Sequence, residues 1–308
     1  EIIGSYNLIK DILETNKQKE KIIFWTGNCR PNAEALRVSS KASFIHINGG
    51  DSRFDKSFPS YSTLWPLYRE IENLVQPYSS NSNENTYTNN WTGPFHGFKD
   101  VIETFINTES PVRIKPINVY FHFYSCEQRS SLKSLEKIFK WVKTQDIIPI
   151  YIGSYAEIIH SFESLKMERT AHDLYKIQNG KLKQLRLESK DLFVDIGKSK
   201  NVIGFSQEGA LSYIHLGPAS VSEVKLSRRN ENQFYFTSGN GEIESLEYKN
   251  SSIKYKGTSL GPSHEITIKS VKAIVVNQDI KTIAPLGNNL IKIIFNNKKV
   301  DTTLELKK

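Results

Sequence analysis

The sequence predicts an α/β domain followed by an all-β domain, and three observations carry that expectation. Up to about residue 175, apolar runs with strand character alternate with segments of helical spacing. From about Asp191 onward, short runs recur at intervals of about 8 to 12 residues, separated by Gly, Asn or Pro. Three early apolar runs also end in bursts of polar residues: Phe24-Trp25-Thr26-Gly27-Asn28-Cys29-Arg30-Pro31, His46-Ile47-Asn48-Gly49-Gly50-Asp51 and Val119-Tyr120-Phe121-His122-Phe123-Tyr124-Ser125-Cys126. Such endings are how α/β sheets present side chains at their carboxyl rim, so the three point to a shared pocket.

The elements follow in order. Ile2, Ile3, Tyr6, Ile9, Ile12 and Leu13 have helical spacing from the first residues onward. The chain therefore opens inside an element, the expectation for a piece of a longer protein. Strands are expected at Lys21–Thr26 and Ser43–Asn48. The stretch Gln76–Asn90, rich in Ser, Asn and Tyr, reads as a long loop. Its aromatics Tyr78 and Tyr87, with Trp91 and Phe95 beyond, suit either a sugar-binding surface or an ordinary loop pinned by rings. Phe98, Val101, Ile102 and Phe105 place a helix over Gly97–Ile106. A strand at Asn118–Tyr124 follows, then a helix over Ser131–Lys143 with Ser130 as its N-cap, then a strand at Ile147–Ile152. Strands separated by helices argue for a parallel sheet or a barrel. Glu168–Lys190 reads as a connection. Beyond it come runs at Phe193–Ile196, Val202–Ser206, Ala210–Leu216, Val221–Leu226, Gln233–Thr237, Ile243–Tyr248, Ser252–Lys256, Glu265–Lys269, Ala273–Asn277 and Leu290–Phe295, the signature of an antiparallel sandwich. The domain boundaries are placed at 1–178 and 179–308.

With 308 residues the chain has length for two proper cores. No apolar run approaches the roughly 18 to 20 residues that span a bilayer, and the opening residues do not read as a signal peptide. The net charge is +8, but the lysines are scattered among glutamates rather than striped, so nucleic acid is not an expected partner. Cys29 and Cys126 both sit at strand ends and leave the redox compartment open. Asn90-Trp91-Thr92 and Asn250-Ser251-Ser252 fit a glycosylation acceptor, a pattern that chance supplies in so Asn-rich a chain.

Acid/base equipment is concentrated in the polar bursts. In an extended strand, alternation puts Tyr120, His122, Tyr124 and Cys126 on one face and Phe121, Phe123 and Ser125 on the other. His122 then points away from an all-Phe face, as a catalyst or as a hydrogen-bonded core residue. Arg30, ahead of Pro31, is biased to extended backbone, and Asp51 is its natural carboxylate partner. A Cys126/His122 hydrolase pair is too far apart for proton transfer, since positions i and i+4 of a strand lie about 13 Å apart, which leaves Cys29 with His122 as the other Cys/His pairing. Asp51, Asp55 and Glu127 are the carboxylates available to a glycosidase.

Cys29-Arg30-Pro31, Asn48-Gly49-Gly50-Asp51 and Tyr120-Phe121-His122-Phe123-Tyr124-Ser125, taken in that order, resemble the later motifs of the polysaccharide deacetylases. The likeness is greatest to the deacetylase region of proteins that modify the Pel exopolysaccharide, and it extends to the helix ending near Trp141, to Ser154-Tyr155-Ala156 and to a β-rich tail. The resemblance implies a partial distorted (β/α) barrel followed by an antiparallel β-sandwich, and removal of N-acetyl groups from a hexosamine polymer. It implies that Arg30 positions a general-base aspartate, that Asp51 matches the acidic motif that follows, and that His122 is the general acid protonating the leaving amine. Trp25, Asn28, Asn48, Tyr120, Tyr124 and Trp91 are the candidate substrate-binding residues. The family uses a metal, usually zinc, held by an aspartate and two histidines at His-x-x-x-His spacing. The seven histidines here are His46, His96, His122, His160, His172, His215 and His264, none four apart. Zinc ligands are therefore expected in an upstream part of the same protein and not in this chain. The expectation is the carboxyl-terminal part of an exported deacetylase, periplasmic or secreted. The alternative is a non-catalytic carbohydrate-binding protein on the same fold.

Overall fold

The computed structural model describes residues 1–13, 21–79, 81–109, 113–230, 232, 234–249, 251–277 and 280–307. The chain divides into two compact units, Glu1–Asp146 and Ile147–Lys308. The division falls ahead of the boundary placed at 178, so residues 147–178 belong to the second unit.

The first unit runs α1 (Ile2–Ile12), β1 (Lys21–Trp25), α2 (Ala33–Lys41), β2 (Phe44–Asn48), β3 (Tyr68–Ile71), β4 (Leu74–Pro77), α3 (Glu84–Tyr87), α4 (Val101–Asn107) and α5 (Arg129–Val142). β1 and β2 pair in parallel, from Lys21 opposite Phe44 to Trp25 opposite Asn48. Between them, α2 starts where the Asn32 side chain accepts the Ala35 N–H at 2.9 Å, just past Pro31. It buries Leu36, as β2 buries Ile47. β3 and β4 form a tight hairpin whose turn residues Glu72 and Asn73 are both left-handed, at φ 48° and 64°. The helix expected over Gly97–Ile106 is a 3₁₀ turn, Gly97–Asp100, running into α4. α5 starts earlier than expected, with Gln128 and not Ser130 at its N-cap position.

Two expected strands are absent. Residues 118–122 have no regular structure and end in a 3₁₀ turn, Phe123–Cys126, while 147–151 lead irregularly into α6 (Ile152–Glu163). Among the described residues the parallel sheet has two strands and no closed barrel is formed.

The second unit is mostly β. After α6 come β5 (Lys166–Ala171), β6 (Leu174–Gln178), β7 (Gln184–Glu188), β8 (Phe193–Val194), β9 (Val202–Glu208), β10 (Leu211–Leu216), β11 (Val221–Ser227), β12 (Phe234–Gly239), β13 (Glu242–Lys249), β14 (Ser252–Thr258), β15 (His264–Ser270), β16 (Ile274–Val276), β17 (Ile280–Gly287), β18 (Leu290–Phe295) and β19 (Lys299–Leu306). A seven-stranded sheet of order β17-β18-β15-β12-β9-β10-β7 is accompanied by two four-stranded sheets, β13-β14-β19-β16 and β5-β6-β11-β8. One core joins Phe236, Ile266, Ile268 and Phe295 of the large sheet to Ile253, Tyr255, Val300 and Leu304. The other joins Phe205, Ile214 and Tyr235 to Ile177, Val194 and Val224. Adjacent Tyr235 and Phe236 thus serve different cores, and Val202-Ile203-Gly204-Phe205 is buried throughout, as expected for a strand covered on both faces. Gly204 is obligatory, because a Cβ there would stand 1.8 Å from the Phe236 carbonyl oxygen.

Candidate functional site

In the first unit His122 is held by a carboxylate that the sequence reading did not single out, Glu84. Asn83 caps the single turn of α3 by accepting the Asn85 N–H at 3.0 Å, which fixes Glu84 as the first helical residue. Glu84 is only 2% exposed. Its Oε1 accepts the His122 backbone N–H at 2.9 Å, His122 Nδ1–H at 2.9 Å, the Ser125 hydroxyl at 2.8 Å and the Trp91 indole N–H at 3.4 Å. An oxygen receiving this many donors is an acceptor, so Nδ1 carries the hydrogen and the tautomer is set. Oε2 is buried with no hydrogen-bond partner. Nε2 of His122 has no partner among the described residues, and the side chain is 32% exposed.

Aromatic rings surround the imidazole. Tyr124 stacks on it with centroids 5.0 Å apart and planes 14° apart, and Trp91 stands edge-on to both His122 (5.5 Å) and Tyr124 (5.4 Å). Trp91 is 36% and Tyr124 44% exposed, so faces of both rings remain open to a ligand. Trp91 has φ 60° and follows Asn89 and Asn90, also left-handed. That conformation strains a bulky residue by about 1–3 kcal/mol. Hydrogen bonds from Asn90 N–H to Asn85 O (3.1 Å) and from Gly93 N–H to Thr88 O (2.9 Å) hold it.

Tyr120 packs against both His122 and Phe24. Its ring lies 5.9 Å from His122 and 5.0 Å from Phe24. Burial pushes its phenol up to about 12; the negative charge of Cys29, Glu84 and Asp51 adds to the rise, and a hydrogen bond with Asn83 opposes it. Burial likewise raises the Asp51 carboxyl, and the Arg30 guanidinium pulls it back. Arg30 and Asp51 are thus electrostatic neighbours, but the expected ion pair is not formed. The guanidinium lies over the Trp65 ring, 4.5 Å from its centroid. Trp65 in turn meets Tyr78 edge-on at 5.2 Å, and its carbonyl accepts from the buried Lys115, whose ammonium burial lowers to about 8. Of the three residues, His122 packs against Tyr120, while Asp51 is an electrostatic neighbour of Tyr120 and of Arg30 without a hydrogen bond to either.

The remaining expected positions divide. Trp25 donates its indole N–H to His46 Nδ1 at 3.1 Å, and His46 Nε2 meets the Ser40 hydroxyl at 3.0 Å. These contacts brace β1 against β2 and α2; none reaches His122. Asn28 is exposed and accepts the Arg30 backbone N–H at 3.0 Å, a turn contact. Asn48 ends β2, and its side chain lies outside what the structure describes. Tyr78 and Tyr87 are 4% and 6% exposed, so they are packing residues and not sugar platforms. Asp55 is buried against Arg53 at 2.6 Å and accepts the Ser57 and Phe58 N–H groups, which removes it as a glycosidase carboxylate. Cys29 and Cys126 are both free thiols.

Among the described residues no group of three or more His, Cys, Asp or Glu side chains is placed to hold a metal ion, so these residues do not fit a zinc site. No described helix is long and apolar enough to cross a membrane. Comparison with protein-family models, with curated proteins and with solved structures finds no match.

Proposed function

We propose that this chain is the carboxyl-terminal part of a metal-dependent polysaccharide N-deacetylase acting on an N-acetylhexosamine exopolysaccharide, with His122 as its general acid. The observation that carries the reading is the 2.9 Å bond from His122 Nδ1 to the buried Glu84 carboxylate. With Nδ1–H held there, Nε2 is the nitrogen that gives a proton to the departing amine, and the carboxylate stabilises the imidazolium before transfer. Trp91 and Tyr124 offer ring faces to pyranose C–H groups, which orients the acyl-amino substituent toward the imidazole. Arg30 takes the positioning role that the motif resemblance assigns to it, and Asp51, its electrostatic neighbour, stands for the acidic motif. No step is assigned to a metal. In this reading β1 and β2 belong to a partial (β/α) barrel, the second unit is the β-sandwich, and the protein is periplasmic or secreted, with an upstream part completing the site.

The exposed Trp91 and Tyr124 faces equally favour a second reading, a carbohydrate-binding protein without turnover. Both readings require the chain to bind N-acetylhexosamine oligomers. Titration calorimetry with N-acetylglucosamine and N-acetylgalactosamine oligomers is expected to show binding that weakens about tenfold in Trp91→Ala, a loss of about 1.4 kcal/mol. Absence of binding to either oligomer series removes both readings.

A further inference from the structure

α5 is packed on one flank and open on the other. Toward α4 it buries Leu135 and Ile138 with Val101 and Phe105, and Trp141 stacks on Phe105 at 5.8 Å. The flank beside it, with Phe121 and Cys126, borders a groove of about 1000 Å³ lined by Leu132 and Phe139, with Leu135 between the groove and the buried flank. Phe121 stands edge-on to Phe139 (6.2 Å) and to Phe123 (6.5 Å), and Phe123 is 89% exposed. A contiguous apolar surface of this kind marks an interaction site more often than isolated exposed residues do.

The charged lining of the groove is mostly basic: Lys133, Lys137, Lys140 and Lys143, with Glu136 as its one carboxylate. Arg129, Lys133, Lys137 and Lys140 recur at i, i+4, i+8 and i+11, a single stripe along the helix, and Lys143 follows at its end. Glu136, the only acidic residue of α5, lies three residues after Lys133 and four before Lys140, so the cations of this helix remain in excess. None of the five cations forms an ion pair among the described residues, whereas Lys198, Lys200, Lys256 and Lys292 each hold a carboxylate. Like charges stacked at helical spacing destabilise a helix, so this stripe is best compensated by negative charge from outside.

We propose that this flank of α5 is the docking groove for an amphipathic α-helix of a partner protein, with acidic residues along the side of its apolar face that meets the lysines of α5. The lysine stems extend the apolar walls while their ammonium groups stand at the rim. A fourteen-residue helix is about 21 Å long, which matches an occupant of three to four turns with apolar residues at i, i+3 or i+4, and i+7. A bilayer surface fits less well, because Phe121, Leu132 and Phe139 line a concavity instead of forming a ridge. The proposal goes beyond the chemistry assigned to His122 and stands without it.

The test is selection from a displayed library of amphipathic helices of about 18 residues with randomised flanking charge, using the chain as bait. Enriched helices are expected to be acidic along one flank, to bind less tightly as salt rises, and to weaken at least about tenfold on Lys137→Glu/Lys140→Glu. Phe139→Asp abolishes their binding. Unchanged tryptophan emission verifies that the exposed double variant is folded. Enrichment without charge bias, equal binding by the double variant, or no enrichment overturns the proposal. Lysine-dependent co-sedimentation with phosphatidylglycerol vesicles, in place of helix binding, overturns it in favour of a membrane surface.

Discussion

Glu84 holds His122 twice through one oxygen, accepting both its backbone N–H and its ring Nδ1–H at 2.9 Å. The same atom takes the Ser125 hydroxyl and the Trp91 indole, so one buried carboxylate fixes backbone path, imidazole tautomer and aromatic wall together. Truncating it strands several donors in the interior. Glu84→Ala is expected to lower the stability of the first unit by about 2–4 kcal/mol, and Glu84→Gln by less, because the amide retains a carbonyl acceptor. All four tryptophans (Trp25, Trp65, Trp91 and Trp141) lie within Glu1–Asp146, so indole emission in a denaturant titration reports that unit alone. A midpoint unchanged by Glu84→Ala would show that the carboxylate does not organise this region.

Gly50 and Gly27 make a matched pair. A Cβ at Gly50 would stand 2.0 Å from the Ser79 backbone oxygen, whereas one at Gly27 meets nothing within 4 Å although its φ is 66°. Gly50→Ala must move backbone and is expected to cost about 3 kcal/mol or more. Gly27→Ala meets only the left-handed backbone penalty of about 1–2 kcal/mol. Comparable losses at the two positions, read by the same emission assay, would contradict the close approach of residues 50 and 79.

Acid should weaken the second unit. Burial lowers the proton affinity of His160, His215 and His264, all within Ile147–Lys308. The folded state then binds fewer protons than the unfolded chain once pH falls below the ordinary histidine value near 6.5, so stability is flat above that value and declines below it. His264 is the most telling of the three, since Tyr255 contacts its Nε2 at 2.5 Å inside the core and its Nδ1 meets the Lys298 carbonyl at 2.9 Å. Far-UV circular dichroism melts between about pH 5 and 8 are expected to show the decline. The pH dependence should be shallower in His264→Gln. A melting temperature that rises on acidification would reverse the sign and refute the argument.

Much of the second unit was legible in the sequence. Each of the ten expected runs there carries a strand, because Gly and Asn punctuation and alternating burial coincide. The strands that escaped notice are β5, β6 and β7, set within the presumed connection, together with β17 and β19. β5 is exposed along its whole length, and β17 is largely exposed and contains Pro285, so neither shows an apolar face. β19 was readable in principle from Val300, Thr302 and Leu304, which point inward at period two.

The first unit was legible where contacts are local. β1, β2 and the Asn32 cap follow from adjacent residues. Residues 118–124 do not, because their alternation has no neighbouring strand to meet. The His122 N–H goes to a side chain 38 residues away in place of a ladder carbonyl. Tyr120, His122 and Tyr124 still lie ring against ring, as alternation implied. Glu84 itself sits in a polar loop whose only local signal is the Asn83 cap, and its importance arises from partners that no short window contains.

The central claim is that His122 donates a proton to a departing amine. The decisive measurement is the rate of amine release from an N-acetylhexosamine polymer by the protein that carries this chain, with and without His122→Ala. A loss of about 10²- to 10⁴-fold with unchanged thermal unfolding is predicted, the usual contribution of a positioned proton donor. Full turnover in the variant would contradict the account and leave Trp91 and Tyr124 as a binding surface only.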